Sequence, residues 1–367
     1  MTKKIRAIGT AFLVVAWVAL TAFAWFAPAK AASEAERRPL AQFPEFSADA
    51  LLSGKLVQDF EDYTLDQFPS RDGFRRLKSL VHYNLLGQKD NNGIYITDGY
   101  AAKLDYPVNT DALNHALDRL NYVYETYLAP NGSKVYAAVI PDKGYYLAEE
   151  NGYPAMDYDA LFDTVKTRLP FAQHIDLTGS LQAQDYYFTD THWRQEQLLG
   201  AAEKLCQAMG VTAPREQDFS KTKVERPFYG VYYGQAALPM DAETMYLMES
   251  PLLAECRVYN YETGKYTAVY DMEKLESKDL YDVYLSGAQS LLRIENPGAK
   301  TERELLVFRD SFGSSMVPLL VQDYKTVTLV DIRYLDSRML GKFLEFTGQD
   351  VLMLYSTTVL NAGTTLK

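Results

Sequence analysis

The sequence predicts an α/β layered fold on three observations. Short apolar runs recur along most of the chain, separated by amphipathic stretches. The runs are continuous rather than alternating, as expected of strands buried on both faces of a mainly parallel sheet. The stretches between them carry the spacing of helices with one apolar face, so helices are expected on both faces of the sheet.

The elements follow in order. Lys3, Lys4 and Arg6 lead into an uncharged apolar run of 23 residues, Ala7 to Ala29. A bilayer core needs roughly 20 residues in helical form. Basic flanks stay cytoplasmic, so the rest of the chain is expected to be exported. Residues 1–32 therefore read as a membrane anchor through an N-terminal helix, or as a signal peptide cleaved within Ala27–Ser33 (APAKAAS). In the second case the chain is secreted. Residues 33–55 read as a polar tether, and residues 56–367 as one large domain. Amphipathic helix extends to about Leu86, and GIYITDGYAAKL from Gly93 alternates as a hairpin. Helix is expected over 111–128, strand over 134–141, helix over 158–169, strand over 172–178 and helix over 196–210, closed by Gly210. From about Thr222 to Pro297 the texture turns tyrosine- and β-rich, with a hairpin signal at Thr263–Gly264. This segment is expected to be an insertion forming a wall of a cleft at the carboxyl edge of the sheet. The rhythm resumes with strand at 303–310, turn and helix at 311–324, strand at 326–332, helix at 334–346 and strand at 350–355. Pro318 lacks an N–H, so regular helix is expected to begin nearer Ser315 or to be kinked.

Composition removes several function classes. The net charge is −11. Residues 1–32 hold four basic residues and no acid, so the remainder carries about −15. No nucleic acid partner is expected of such a chain, because that binding needs clustered Lys and Arg. The same charge argues against lying flat on anionic lipid. Cys206 and Cys256 are the two cysteines; they can form one disulfide outside the cell or remain two buried thiols. Without a CxxC pattern no structural zinc site is expected. A metal site from Asp185, Asp190 and His192 is the remaining metal reading, and no cofactor is expected.

Two stretches carry chemistry. At LLVFRDSFGSSM, Ser311 falls where a buried strand gives way to helix, the edge at which open α/β sheets bind ligands. Helix-start N–H groups there can receive an oxyanion, with Ser311 and Phe312 as donors, and Gly313 leaves the backbone open. A serine needs a base. Of His82, His115, His174 and His192, only His192 has a carboxylate two residues before it, Asp190, at the end of a strand-like stretch. In extended chain these two point to one side, which suits a triad. Thr191 as a helix N-cap is the plain structural reading of the same string.

TDTHW, then DVYLSG, VFRDSFGSSMVPLL and VTLVDIRYL, together with upstream FPSRDGF, NGIYITDGY and VIPDKGYYL, resemble the DHHW family. These are exported bacterial proteins related to the alginate O-acetyltransferases, with a permuted SGNH-hydrolase-like, flavodoxin-like domain. Thr191 stands where the first His of the Asp-His-His-Trp string would be. The resemblance implies a triad of Ser311, His192 and Asp190, and an acetyl group moved through serine to a hydroxyl of a polysaccharide acceptor. It also implies a multispanning membrane O-acyltransferase as a donor partner. Ser314 and Ser315 are rival nucleophiles, and Asp310 reads as a turn cap. Arg333, Tyr334, Lys143 and Trp193 are candidate substrate contacts, and tyrosines such as those of FYGVYYG suit stacking on sugars or packing. An exported esterase with the same triad and a non-catalytic polysaccharide-binding protein are the competing functions.

Overall fold

Eight strands form one sheet, in a computed structural model that describes residues 3–33 and 35–367. They are β1 (Lys134–Ile140), β2 (Gln173–Asp176), β3 (Arg257–Asn260), β4 (Lys265–Thr267), β5 (Leu291–Glu295), β6 (Glu304–Arg309), β7 (Thr326–Val330) and β8 (Asp350–Ser356). Their order across the sheet is β4-β3-β5-β7-β6-β8-β1-β2. The five strands from β7 to β2 are parallel, and β5, β3 and β4 add on antiparallel. Within β6, Leu305 and Val307 join the apolar core on one face, and Leu306 and Phe308 the core on the other. Burial on both faces is what makes such a strand read as a continuous apolar run.

Helices cover both faces. Thr110–Val123, started by Asn109 accepting the Ala112 N–H, buries Leu113, Ala116, Leu117, Leu120 and Val123. That is one helical face, and it packs on the Val135, Phe308 and Met353 side of the sheet together with Leu161 and Val165 of Tyr158–Arg168. On the opposite face Leu199–Met209 buries Ala201, Ala202, Leu205, Cys206 and Met209, and Gly210 ends it at φ 64°. Each large aliphatic side chain so buried contributes on the order of 1.5–3 kcal/mol.

Several expectations change in detail. Residues 222–297 supply β3, β4 and β5, which widen the sheet itself. The helix expected over 334–346 is a 3₁₀ stretch, Ser337–Lys342, with Gly341, a poor helix former, near its end. The helix after Ser311 begins at Gly313, runs only to Met316 and tightens into 3₁₀ turns over Val317–Leu320, where Pro318 sits. Both cysteines are free and buried.

Contacts divide the chain into two units, 1–91 with 233–239, and 92–232 with 240–367. The first unit carries α1 (Lys3–Phe26), α2 (Lys55–Asp66) and α3 (Arg71–Leu80). Helix α1 is long and apolar enough to cross a membrane, which fits a signal or an anchor. The second unit carries the sheet.

Candidate active site

Strand β6 ends at Arg309, within the parallel part of the sheet, between β7 and β8. Asp310 then fixes the turn. Its Oδ1 accepts the Phe312 N–H at 3.0 Å, and its Oδ2 accepts the Ser356 N–H and Oγ–H, each at 2.7 Å. The carboxylate thereby ties the ends of β6 and β8. Gly313 is required by close approach: a Cβ there would lie 2.8 Å from the Arg309 Cβ. Arg309 is fully buried, with Asp331 at 3.9 Å. Burial lowers its pKa, and Asp331 opposes that shift.

Ser311 follows at the rim. His192 Nε2 lies 2.8 Å from its Oγ, and His192 Nδ1 lies 2.6 Å from Asp190 Oδ1. The carboxylate favours Nδ1 as the protonated nitrogen and leaves Nε2 to accept from serine. The string that carries Asp190 and His192 is not an extended strand end. It is a tight hairpin: Tyr186 bridges Trp193, and the Tyr187 N–H donates to the His192 carbonyl at 3.1 Å. Asp190 Oδ1 also accepts the His192 backbone N–H at 3.0 Å. An Asx-type turn, rather than strand alternation, thus puts the two side chains together. Thr191 caps no helix; its Oγ1 accepts from the Tyr232 hydroxyl at 3.0 Å.

Three groups that hold this hairpin have no local signature in the sequence. Gly230 packs against it so closely that a Cβ would lie 2.3 Å from Asp190 N, Cα and Cβ. The next N–H, of Val231, donates to Asp190 Oδ2 at 2.8 Å. The buried Glu243 carboxylate accepts the N–H groups of Phe188 and Thr189, the Thr189 hydroxyl and the Arg194 guanidinium, over 2.5–2.8 Å. Tyr281 stacks face to face on the His192 ring, centroids 3.8 Å apart and planes within 8°. Its hydroxyl shares a 2.7 Å hydrogen bond with Ser315 Oγ.

The remaining candidates divide sharply. Trp193 is fully buried, and its Nε1–H donates to the Phe312 carbonyl and Ser315 Oγ at 3.1 and 2.9 Å; it supports the turn. Lys143 is buried too, its ammonium committed to the carbonyls of Ala101, Tyr187 and Phe188. Burial pulls its pKa down to about 7, against the pull of Glu243 and Asp190. The Phe312 N–H is taken by Asp310, which removes it as an oxyanion donor. The Ser311 N–H has no partner among the hydrogen bonds of the described residues. Ser314 and Ser315 are buried. Arg333 forks onto Asp331 at 2.6–3.2 Å, and Tyr334 is exposed; neither hydrogen-bonds Ser311, His192 or Asp190 among the described residues. Asp185 turns its carboxylate to the Gln182 N–H, and no group of three or more potential metal ligands clusters among the described residues.

Residues 175–330 match the model of the DHHW protein family. The fold is that of a DHHW family protein from Eubacterium siraeum, with 22% identity and a TM-score of 0.59 over 75% of this chain and 94% of that one. It is also that of Bacillus cereus PatB1, with 18% identity and a TM-score of 0.60 over 75% and 98%. PatB1 with a sulfonyl adduct aligns at 19% identity and 0.58, over 73% and 95%. No curated protein matches the sequence.

Proposed function

We propose that this chain, which carries a DHHW-family domain over residues 175–330, is an exported, membrane-anchored O-acetyltransferase that passes an acetyl group through Ser311 to a hydroxyl of an extracytoplasmic polysaccharide. One observation carries the reading: the relay of 2.6 Å and 2.8 Å from Asp190 through His192 to a partly exposed serine. In the first half-reaction His192 Nε2 takes the Ser311 proton as Oγ attacks the acetyl carbonyl of a donor ester. The tetrahedral oxygen is received by the Ser311 N–H. Collapse breaks the bond to the donor alcohol, which leaves with the proton from His192. In the second half, His192 takes the proton of the acceptor hydroxyl, which attacks acetyl-Ser311; collapse breaks the bond to Oγ, and His192 returns the proton to the released serine. Asp190, held by His192 and Val231 N–H groups, keeps the ring in its tautomer. A multispanning membrane acyltransferase is the proposed source of the acetyl group.

The test is an adduct. Wild type given an activated acetyl ester should gain one acetyl group on the peptide containing Ser311, and Ser311→Ala should gain none. A sulfonyl fluoride should mark the same residue, in keeping with the sulfonyl adduct of PatB1. No adduct and no turnover with any of several donors would favour a binding protein. Free acetate that is indifferent to added oligosaccharide would favour an esterase.

A further inference from the structure

Helix α3 is inverted for a helix facing water. Three of its polar residues turn inward, while Asp72, Arg76 and Lys78 stay exposed: Arg71 pairs with Glu36, Arg75 with Glu36 at 3.3 Å and the Gly234 carbonyl at 2.8 Å, and Ser79 with the Ala236 carbonyl at 2.9 Å. The Arg71 and Arg75 side chains keep only 19% and 17% exposure. Its apolar residues turn outward, with Phe74 at 48% and Leu77 at 56% exposed. Surface of this kind is costly in water and needs a cover.

The same unit indicates what the cover is. Phe74 meets Phe68 edge-on at 5.4 Å, just past the end of α2. Phe68, Phe60 and Tyr63 then line a groove of about 320 Å³ whose other wall is Trp17, Leu20 and Trp25 of α1. The apolar surface therefore continues from the one segment built to sit in lipid to the outward face of α3. Gln67, after α2, is pinned to the exit of α1: its side chain donates to the Lys30 carbonyl at 2.9 Å and accepts the Lys30 N–H at 2.8 Å. Arg76 and Lys78 flank the α3 strip, a placement that suits snorkelling to headgroups. The overall negative charge gives no electrostatic attraction to anionic lipid, but apolar insertion does not require one.

We propose that the outward faces of α2 and α3 lie in the extracytoplasmic leaflet of the membrane crossed by α1, at the boundary of acyl chains and headgroups. This goes beyond the acyl-transfer reading and holds whether or not Ser311 reacts.

Full-length chain in phosphatidylcholine–phosphatidylglycerol vesicles is the system for the test. Cys206 and Cys256 are buried, and burial pushes their thiols up to about 12 and about 11, so added cysteines should take a thiol-reactive fluorophore selectively. The variants are Phe74→Cys and Leu77→Cys on α3, Val57→Cys on α2 as an independent position, and exposed Tyr334→Cys as the control. Lipid brominated high on the acyl chain should quench the labels at 57, 74 and 77 at least twofold and leave the label at 334 unchanged. Aqueous iodide should do the reverse. The inference is overturned if iodide quenches 74 and 77 as strongly as 334 while brominated lipid does nothing. It is equally overturned if those labels are shielded from both quenchers, which would put a protein on that face.

Discussion

Gly230→Ala tests the claim that the Asp190–His192 hairpin is held in register by backbone contact. Carbon atoms pack at roughly 3.5–4.0 Å, and the new methyl would begin 2.3 Å from three atoms of Asp190. All three belong to the backbone or its first side-chain carbon, so no flexible tip can swing aside. The two segments must part by more than ~1 Å. That stretches the 2.8 Å bond from Val231 N–H to Asp190 Oδ2 past about 3.5 Å, where it no longer holds. The imidazole follows its carboxylate. A displacement of about 1 Å in a reacting group costs on the order of 10²-fold in rate, or about 2.7 kcal/mol of transition-state stabilisation. Overpacking should also lower global stability by about 1–3 kcal/mol. Kinetics with a chromogenic acetyl ester give the first quantity, and urea unfolding the second. Gly200→Ala is the control, because it stands in the first turn of Leu199–Met209 and its Cβ meets nothing within 4 Å. If Gly230→Ala folds and retains more than half of wild-type kcat/KM, close packing does not set the register, and the argument fails.

Asp190→Asn should lower turnover by about 10⁴-fold yet leave roughly 10²-fold more activity than Ser311→Ala, since the carboxylate orients the base and bonds nothing that reacts; equal losses in the ester assay would contradict this. Glu243→Ala strips four donors and leaves the Arg194 charge without its partner, so urea unfolding should show a loss of about 3–5 kcal/mol. Lys143 falls from an ordinary 10.5 to about 7 on burial, so between those values the unfolded chain binds more protons than the folded one. Stability from this residue is therefore lowest below pH 7 and rises with pH across that window, by up to about 1.4 kcal/mol per unit. Lys143→Met should remove the rise, and urea midpoints for both proteins at pH 7.5 and 9.5 would detect its persistence.

The parts legible in the sequence are those whose cause is local. Glu304–Arg309 shows as a strand because both its faces are buried, and Ser311 falls at its end because the chain must turn there. Asp190 and His192 are paired by two residues of spacing, although a hairpin rather than a strand supplies the geometry. Gly230, Glu243 and Tyr281 reach the site from 37 to 88 residues beyond Trp193, where the hairpin ends, and no pattern links them to it. Lys143, Trp193 and Phe312 mislead for one shared reason. Each offers a polar group near a strand end, but the fold consumes that group on a carbonyl, a hydroxyl or the Asp310 carboxylate. Sequence shows which donors exist, not which are already engaged.

The order of the sheet has a consequence for how copies of the chain behave together. Its two free margins are β4 and β2, only three and four residues long. The long strands that read as uninterrupted apolar runs are all interior. A margin this short offers another chain too few N–H and C=O groups to extend the ladder. Proteins confined to a membrane plane meet one another far more often than in free solution, so blunt margins would count for more there. Substitutions that lengthen β4 toward Tyr261 or Tyr270 would erode that protection without touching the serine, and pelleting of membrane-held protein would reveal them before any loss of turnover.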